Sequence, residues 1–263
     1  MNRFRLSATC LFTLTALTLA LGQKPIAVIP LTSAVQNAFI DRPGDLYLQL
    51  EDGSIRKYDK QGKLLQTFQQ PETIAVFDPR DGSRAFTYSR VGGWYSFALF
   101  GNINKNKLPE EFGIDPWMVC SSGDKNYWLF DAADFSVKRI NNDLHRIDSE
   151  YILPKDWQTT HHDVVSMREY QGFLFILHRV KGIGIFNSMG KHLKTLSGRD
   201  IPYFNFLGEE IYYPLNQQLH FYDLFDASVH LQNLPAETRF VLLSDERVFS
   251  VYPNKLEVAE FKP

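Results

Sequence analysis

His161-His162-Asp163 is the densest set of potential metal ligands in the chain, because imidazole nitrogen and carboxylate oxygen both suit zinc and related ions. Adjacent residues on an extended chain point to opposite sides, so two neighbouring histidines reach one ion poorly. No third histidine-rich segment completes a shell, and the stretch reads as a polar, solvent-contacting loop with no metal assigned. His145, His178, His192, His220 and His230 are scattered and read as structural. A second set is cationic and aromatic: Arg90, Trp94, Arg179 and Lys181, joined by Trp117, Trp157 and the histidine pair. Tryptophan and arginine are enriched in binding hot spots, and such a set can hold a peptide, a glycan or an anionic group. The plainer alternative is that Trp94 packs internally and the cations solvate turns. No nucleophile elbow, phosphate loop or paired zinc motif is present, so no catalytic residue is assigned.

The elements that must position these side chains are short strands in a repeat of about forty residues. The clearest copy is LYLQLEDGSIRKYDKQGKLLQTF, Leu46 to Phe68, in which Leu46, Leu48 and Leu50 alternate with Tyr47 and Gln49. Each copy carries a strand ending in an apolar residue and then a small polar one: Tyr58-Asp59, Phe100-Gly101, Ile140-Asn141, Phe186-Asn187, Tyr222-Asp223 and Ala259-Glu260. The successive spacings are 42, 40, 46, 36 and 37 residues. Strand, turn and strand at that period make one four-stranded blade, and six blades make an all-β, six-bladed β-propeller. The last copy offers only three strands, Val241 to Leu243, Arg247 to Val251 and Lys255 to Phe261. Ile26 to Leu31 is therefore expected to supply the fourth strand of the last blade and to close the ring. The stretched spacing of 46 contains Pro154 to Asp163, a polar segment overlong for a turn.

The N-terminus has a basic start with Arg3 and Arg5, an apolar run from Leu6 to Leu21, and small residues at Ala20 and Gly22. That pattern predicts a secretory signal peptide over residues 1–22, with a single propeller domain over 23–263. Cys10 lies inside the apolar run, which makes it a poor lipidation site. The remaining cysteine, Cys120, has apolar neighbours Trp117, Met118 and Val119 and is expected to be buried. Loss of Arg3 and Arg5 from 28 basic side chains leaves 26 against 30 acidic ones, which argues against a nucleic-acid partner. No transmembrane candidate follows the leader.

The turn Asp59-Lys60-Gln61-Gly62, repeated as Asn187-Ser188-Met189-Gly190, resembles that of six-bladed propellers of the NHL and TolB-like kind. Asn141-Asn142-Asp143 and Asp223 to Ala227 depart from it by lacking glycine. The resemblance implies that the loops between second and third strands, with those joining blades, form the binding mouth; these include the turns at Glu51-Asp52-Gly53, Arg90 to Trp94, Asp131 to Asp134 and Arg179 to Gly182. Such families include scaffolds, sensors, lyases and lactonases. The expectation is an exported, non-enzymatic propeller serving as a protein-interaction scaffold, without cofactor, with a protein partner in a periplasmic or outer-membrane complex. Periplasmic, outer-membrane-associated and secreted locations all fit that expectation. The alternatives are a calcium-dependent lactonase-like hydrolase, with oxygen ligands drawn from Asp52, Asp131, Asp134, Asn216 and Asn254, and a sensor of a small ligand or glycan.

Overall fold

A computed structural model describes residues 24–69, 74–82, 85–97, 105–122 and 126–261. The expected signal peptide and the Phe100-Gly101 mark lie outside the described residues. Among the described residues, twenty-four strands form six antiparallel four-stranded sheets. The first blade holds β2 (Val35–Ile40), β3 (Leu46–Leu50), β4 (Ser54–Tyr58) and β5 (Leu64–Gln69), in chain order from the axis outward. The second holds β6 (Val76–Asp78), β7 (Phe86–Ser89), β8 (Trp94–Phe97) and β9 (Asn106–Lys107). The third runs from β10 (Pro116–Ser122) through β11 (Asn126–Asp131) and β12 (Ser136–Asn141) to β13 (Arg146–Ile152). The fourth contains β14 (Val164–Tyr170), β15 (Phe173–His178), β16 (Gly182–Phe186) and β17 (His192–Ser197). The fifth contains β18 (Asn205–Leu207), β19 (Glu210–Leu215), β20 (Gln218–Asp223) and β21 (Val229–Asn233). The last combines β22 (Phe240–Leu243), β23 (Arg247–Val251) and β24 (Lys255–Glu260) with β1 (Ala27–Pro30), whose register runs Ala27↔Val258 to Pro30↔Lys255. The chain is an all-β six-bladed propeller closed by its N-terminal strand.

The repeat mark has a local physical cause. At the end of a third strand, the Asp59 carboxylate accepts hydrogen bonds from the backbone N–H of Gln61 and Lys63, 2.9 Å each. The Asn187 side chain does the same for Met189 and Lys191, and Asp223 for Phe225 and Asp226. Short polar side chains thus cap the turn into the fourth strand. Gly62 and Gly190 complete two of these turns at φ of 81° and 82°. Where glycine is missing, Ala227 and His145 themselves take positive φ, 62° and 49°. The departures in sequence therefore keep the same turn function at some cost in backbone strain.

Burial follows the radial plan. Six apolar clusters, among the described residues, join the blades in pairs. One joins Trp128, Phe130 and Val137 of the third blade to Leu174, Ile176 and Phe186 of the fourth, and Cys120 is wholly buried within it. Burial is the main reason the Cys120 thiol is pushed far above its ordinary range, so it behaves as a small apolar group.

The fourth blade depends on a close backbone approach at Gly182. Its φ is 101°, and a Cβ built there would lie 2.2 Å from the Leu196 carbonyl oxygen and 2.7 Å from the Gly198 nitrogen. Gly182→Ala is expected to lower stability by about 1–3 kcal/mol. Urea unfolding checks this, with the midpoint shifted and the slope unchanged.

Candidate functional site

A propeller has two faces. The upper one carries the loops between second and third strands and those joining blades; the lower one carries the remaining turns. The residues singled out in the sequence all belong to the upper face. Arg90 lies in the turn after β7, and its guanidinium stacks 3.6 Å from the Trp117 ring centre while its Nε donates to the Trp117 carbonyl at 2.7 Å. Trp117 in turn meets His161 at 4.4 Å and His162 at 4.9 Å between ring centres, and its Nε1 donates to the Val164 carbonyl at 3.2 Å. Side chains from three blades thus form one cation and aromatic stack. Burial is the leading cause that holds the Arg90 pKa below its ordinary value.

The histidine pair differs from the extended geometry expected of it. His161–Asp163 is one turn of 3-10 helix, with the Thr160 side chain accepting from the His162 N–H. The turn brings both rings to the same side, 4.1 Å apart, against the tryptophan. Their partner is thus an aromatic face. Among the described residues no group of three or more His, Cys, Asp or Glu side chains is placed to hold a metal ion.

The other residues take different places. Trp157 is only 2% exposed, packed on His178, Phe186 and His192 beneath the loop. Lys181 pairs with Asp156 at 2.8 Å, and Arg179 is exposed, with its backbone N–H bound to the Asp163 carbonyl. His178 anchors that turn: its Nδ1 accepts from the N–H groups of Val180 and Lys181, and its Nε2 lies 3.3 Å from the Trp157 carbonyl. This pattern requires the neutral ring with its proton on Nε2, and burial lowers its pKa accordingly. Trp94 is 37% exposed and covers Gly92. Val91 and Ile114 stand out on the same face, 76% and 86% exposed.

The oxygen ligands considered for calcium include three committed to local structure. Asp52 bonds the N–H and hydroxyl of Ser54, Asp134 accepts from the Ser136 N–H, and Asp131 is fully buried against Lys138.

Sequence reasoning missed a second constellation, inside the channel. Asp78, at the end of β6, receives the Arg80 guanidinium and the Arg80 backbone N–H. Arg80 also donates to the Glu169 carbonyl. Arg168 of β14 donates through Nη1 to the Asn205 side-chain oxygen at 2.8 Å, while its Nη2 stays 3.9 Å from Asp78. Burial alone would raise the Asp78 pKa, but Arg80 and then Arg168 outweigh it and hold the carboxyl well below its ordinary range. For Arg168, burial is the main disfavouring influence on the charge, opposed by Asp78 and reinforced by Arg80. Arg168 and Asn205 line two cavities, one of about 330 Å³ at the lower mouth and one of about 230 Å³ along the channel. The available signal was the strand VVSMREY, where Ser166, Arg168 and Glu169 interrupt the apolar pattern of an inner strand.

This architecture is shared with solved structures. The chain is similar to a streptogramin B lyase structure at 16% identity and a TM-score of 0.53, covering 86% of this chain and 79% of that one. A catalytically inactive virginiamycin B lyase from Staphylococcus aureus, solved with quinupristin, matches at 13% identity and 0.52, covering 88% and 82%. The extracellular domain of BT4673 from B. thetaiotaomicron, described as a one component system, matches at 12% and 0.53, with 87% of this chain spanning 33% of that one. At these identities the likeness shows the fold. No protein-family model matches the chain, and no curated protein matches it. Among the described residues, no helix is long and apolar enough to cross a membrane.

Proposed function

We propose that the protein is an exported, non-enzymatic propeller that docks a protein partner on its upper face, as a component of an envelope complex. The observation that supports this reading most is the stack of Arg90, Trp117, His161 and His162 beside the exposed Val91, Trp94 and Ile114. A rigid aromatic and arginine centre with apolar neighbours is the composition of an interaction hot spot. The stack is held by side-chain hydrogen bonds from Arg90 and Trp117 to backbone carbonyls, so its geometry is set before a partner arrives and less ordering entropy opposes docking. Export rests on the basic and apolar N-terminal pattern.

The test uses exposed residues that the fold does not need. The double variant Val91→Glu with Ile114→Glu should keep the wild-type melting midpoint. It should lose at least about tenfold of the crosslinked partner recovered from native envelope, since hot-spot disruption costs upwards of about 2 kcal/mol. Equal recovery by the folded variant would refute docking at this face.

A further inference from the structure

We propose that the lower mouth of the channel is a binding site for a small organic carboxylate, with Arg168 as its anchoring cation. This goes beyond the partner-docking reading, because the two sites lie on opposite faces. The starting point is an imbalance of charge. Asp78 spends both oxygens on Arg80: one on its backbone N–H at 3.0 Å, the other on its guanidinium. Arg168 is left with a distant share of that carboxylate, at 3.9 Å. Among its donors, one is used well, on Asn205, whereas Nε is buried without a hydrogen-bond partner. A guanidinium has five N–H donors and keeps its charge in any protein, so a largely buried one that shares its carboxylate with Arg80, at 3.9 Å, favours an incoming anion.

The surroundings fit that role. The cavity of about 330 Å³ is at the small end of ligand sites. Its lining includes Arg42, an exposed cation at the rim. The carboxylates on that wall are mostly engaged: Asp41 is bonded to Tyr47 and the Asp45 N–H, and Glu246 pairs with Lys60. Asp245 is the remaining acidic group there. Tyr170 and Phe206 also line the cavity, stacked with ring centres 4.1 Å apart, and Arg168 lies 5.5 Å from the Phe206 ring. A cation next to an aromatic wall suits a carboxylate carried on a flat or apolar body, such as an aromatic acid. A carboxylate can engage a guanidinium through two parallel bonds, which a halide cannot.

Asn205→Asp is the discriminating variant. It changes one amide to a carboxylate of the same shape at 2.8 Å from Arg168, supplying the missing counter-charge from within the chain. Benzoate, acetate and inorganic phosphate are titrated against wild type and variant at constant ionic strength, with chloride as the reference, by calorimetry and thermal melting. Wild type should bind benzoate more tightly than acetate, and its melting midpoint should rise by about 3 °C at saturating benzoate. The variant should melt no lower than wild type and bind benzoate at least about tenfold more weakly. Phosphate binding in place of carboxylate would overturn the ligand class. Equal affinity in the two proteins, or no response of wild type to any of the three anions, would overturn the site. Arg168→Gln serves as a second probe if Asn205→Asp fails to fold, and it should abolish benzoate binding. Docking of a protein on the upper face is unaffected by either result, and both variants should recover the envelope partner as wild type does.

Discussion

A chain beginning at Thr32 will unfold at a far lower denaturant concentration than one beginning at Gln23, losing on the order of 3–6 kcal/mol. The deletion removes β1, whose four residues pair with β24 and whose flanks add two bonds: the Ile26 N–H to the Val258 carbonyl at 2.8 Å and the Leu31 N–H to Asn254 at 2.9 Å. It also removes Leu31, 9% exposed in the cluster with Leu256 and Val258, and Ile29, which packs on Gly62 of the first blade. Full burial of a leucine contributes about 1.5–3 kcal/mol, and the partly buried Ile29 with the lost strand pairing adds the rest of the range. Global unfolding is expected, because β1 belongs to the last blade and leads directly into the first. Without it, the last blade keeps three strands, the edge of β24 is open, and the covalent tie between the two blades is cut. Urea unfolding of the two proteins checks the result; coincident midpoints would show that the ring closes without this strand.

That closure was legible in the sequence because it is a matter of counting. Three strands follow Arg239, a sheet of four was required, and the only unassigned apolar strand stood at the other end of the chain. The turn marks were legible for a different reason: Asp59, Asn187 and Asp223 bond backbone groups within four residues of themselves, so the signal is local. The channel was not legible. Arg168 and Asn205 are 37 positions apart, and Arg80 reaches the Glu169 carbonyl across 89. Their meeting is produced by ring closure, and no spacing within one repeat announces it. Two tryptophans show the same limit at single-residue scale. Trp157 and Trp94 both stand in polar, turn-rich segments, yet the first is buried beneath its loop and the second faces solvent. The fate of each depends on which side chains of the neighbouring strands leave room. Two adjacent histidines in a polar loop suggest extended chain, whereas the Thr160 cap winds them into a turn and places both rings on Trp117.

The buried ion pair of the third blade ties stability to the geometry of the upper face. Asp131 ends β11 with no exposure, and its oxygens accept from Lys138 Nζ at 2.8 Å and from the N–H groups of Ile114, Asp115 and Ala133 at 3.0, 3.0 and 3.1 Å. Two of those donors belong to the loop that presents Ile114, so one carboxylate both neutralises a buried lysine and fixes part of the proposed docking surface. Burial alone would raise the Asp131 pKa, but the lysine and the backbone donors prevail and hold it below the ordinary 3.8. Asp131→Ala should cost about 3 kcal/mol, the lower part of the range for removing one partner of a buried pair, because Glu150 at 3.5 Å and Asp134 at 3.8 Å still attend the lysine. The pH dependence has a definite sign. A carboxyl whose folded pKa is depressed contributes stability above its unfolded value and loses it as pH falls through the folded one. The difference between wild type and Asp131→Ala should therefore be complete at neutral pH and shrink below about pH 3.8. Adding Lys138→Met should restore part of the loss, since an apolar side chain leaves no uncompensated charge. If the single variant matched wild type at neutral pH, the Asp131 bonds would be incidental to the fold. If the double variant were no better than the single one, the cost would lie in the freed backbone donors of Ile114 and Asp115, which places it in the loop of the upper face.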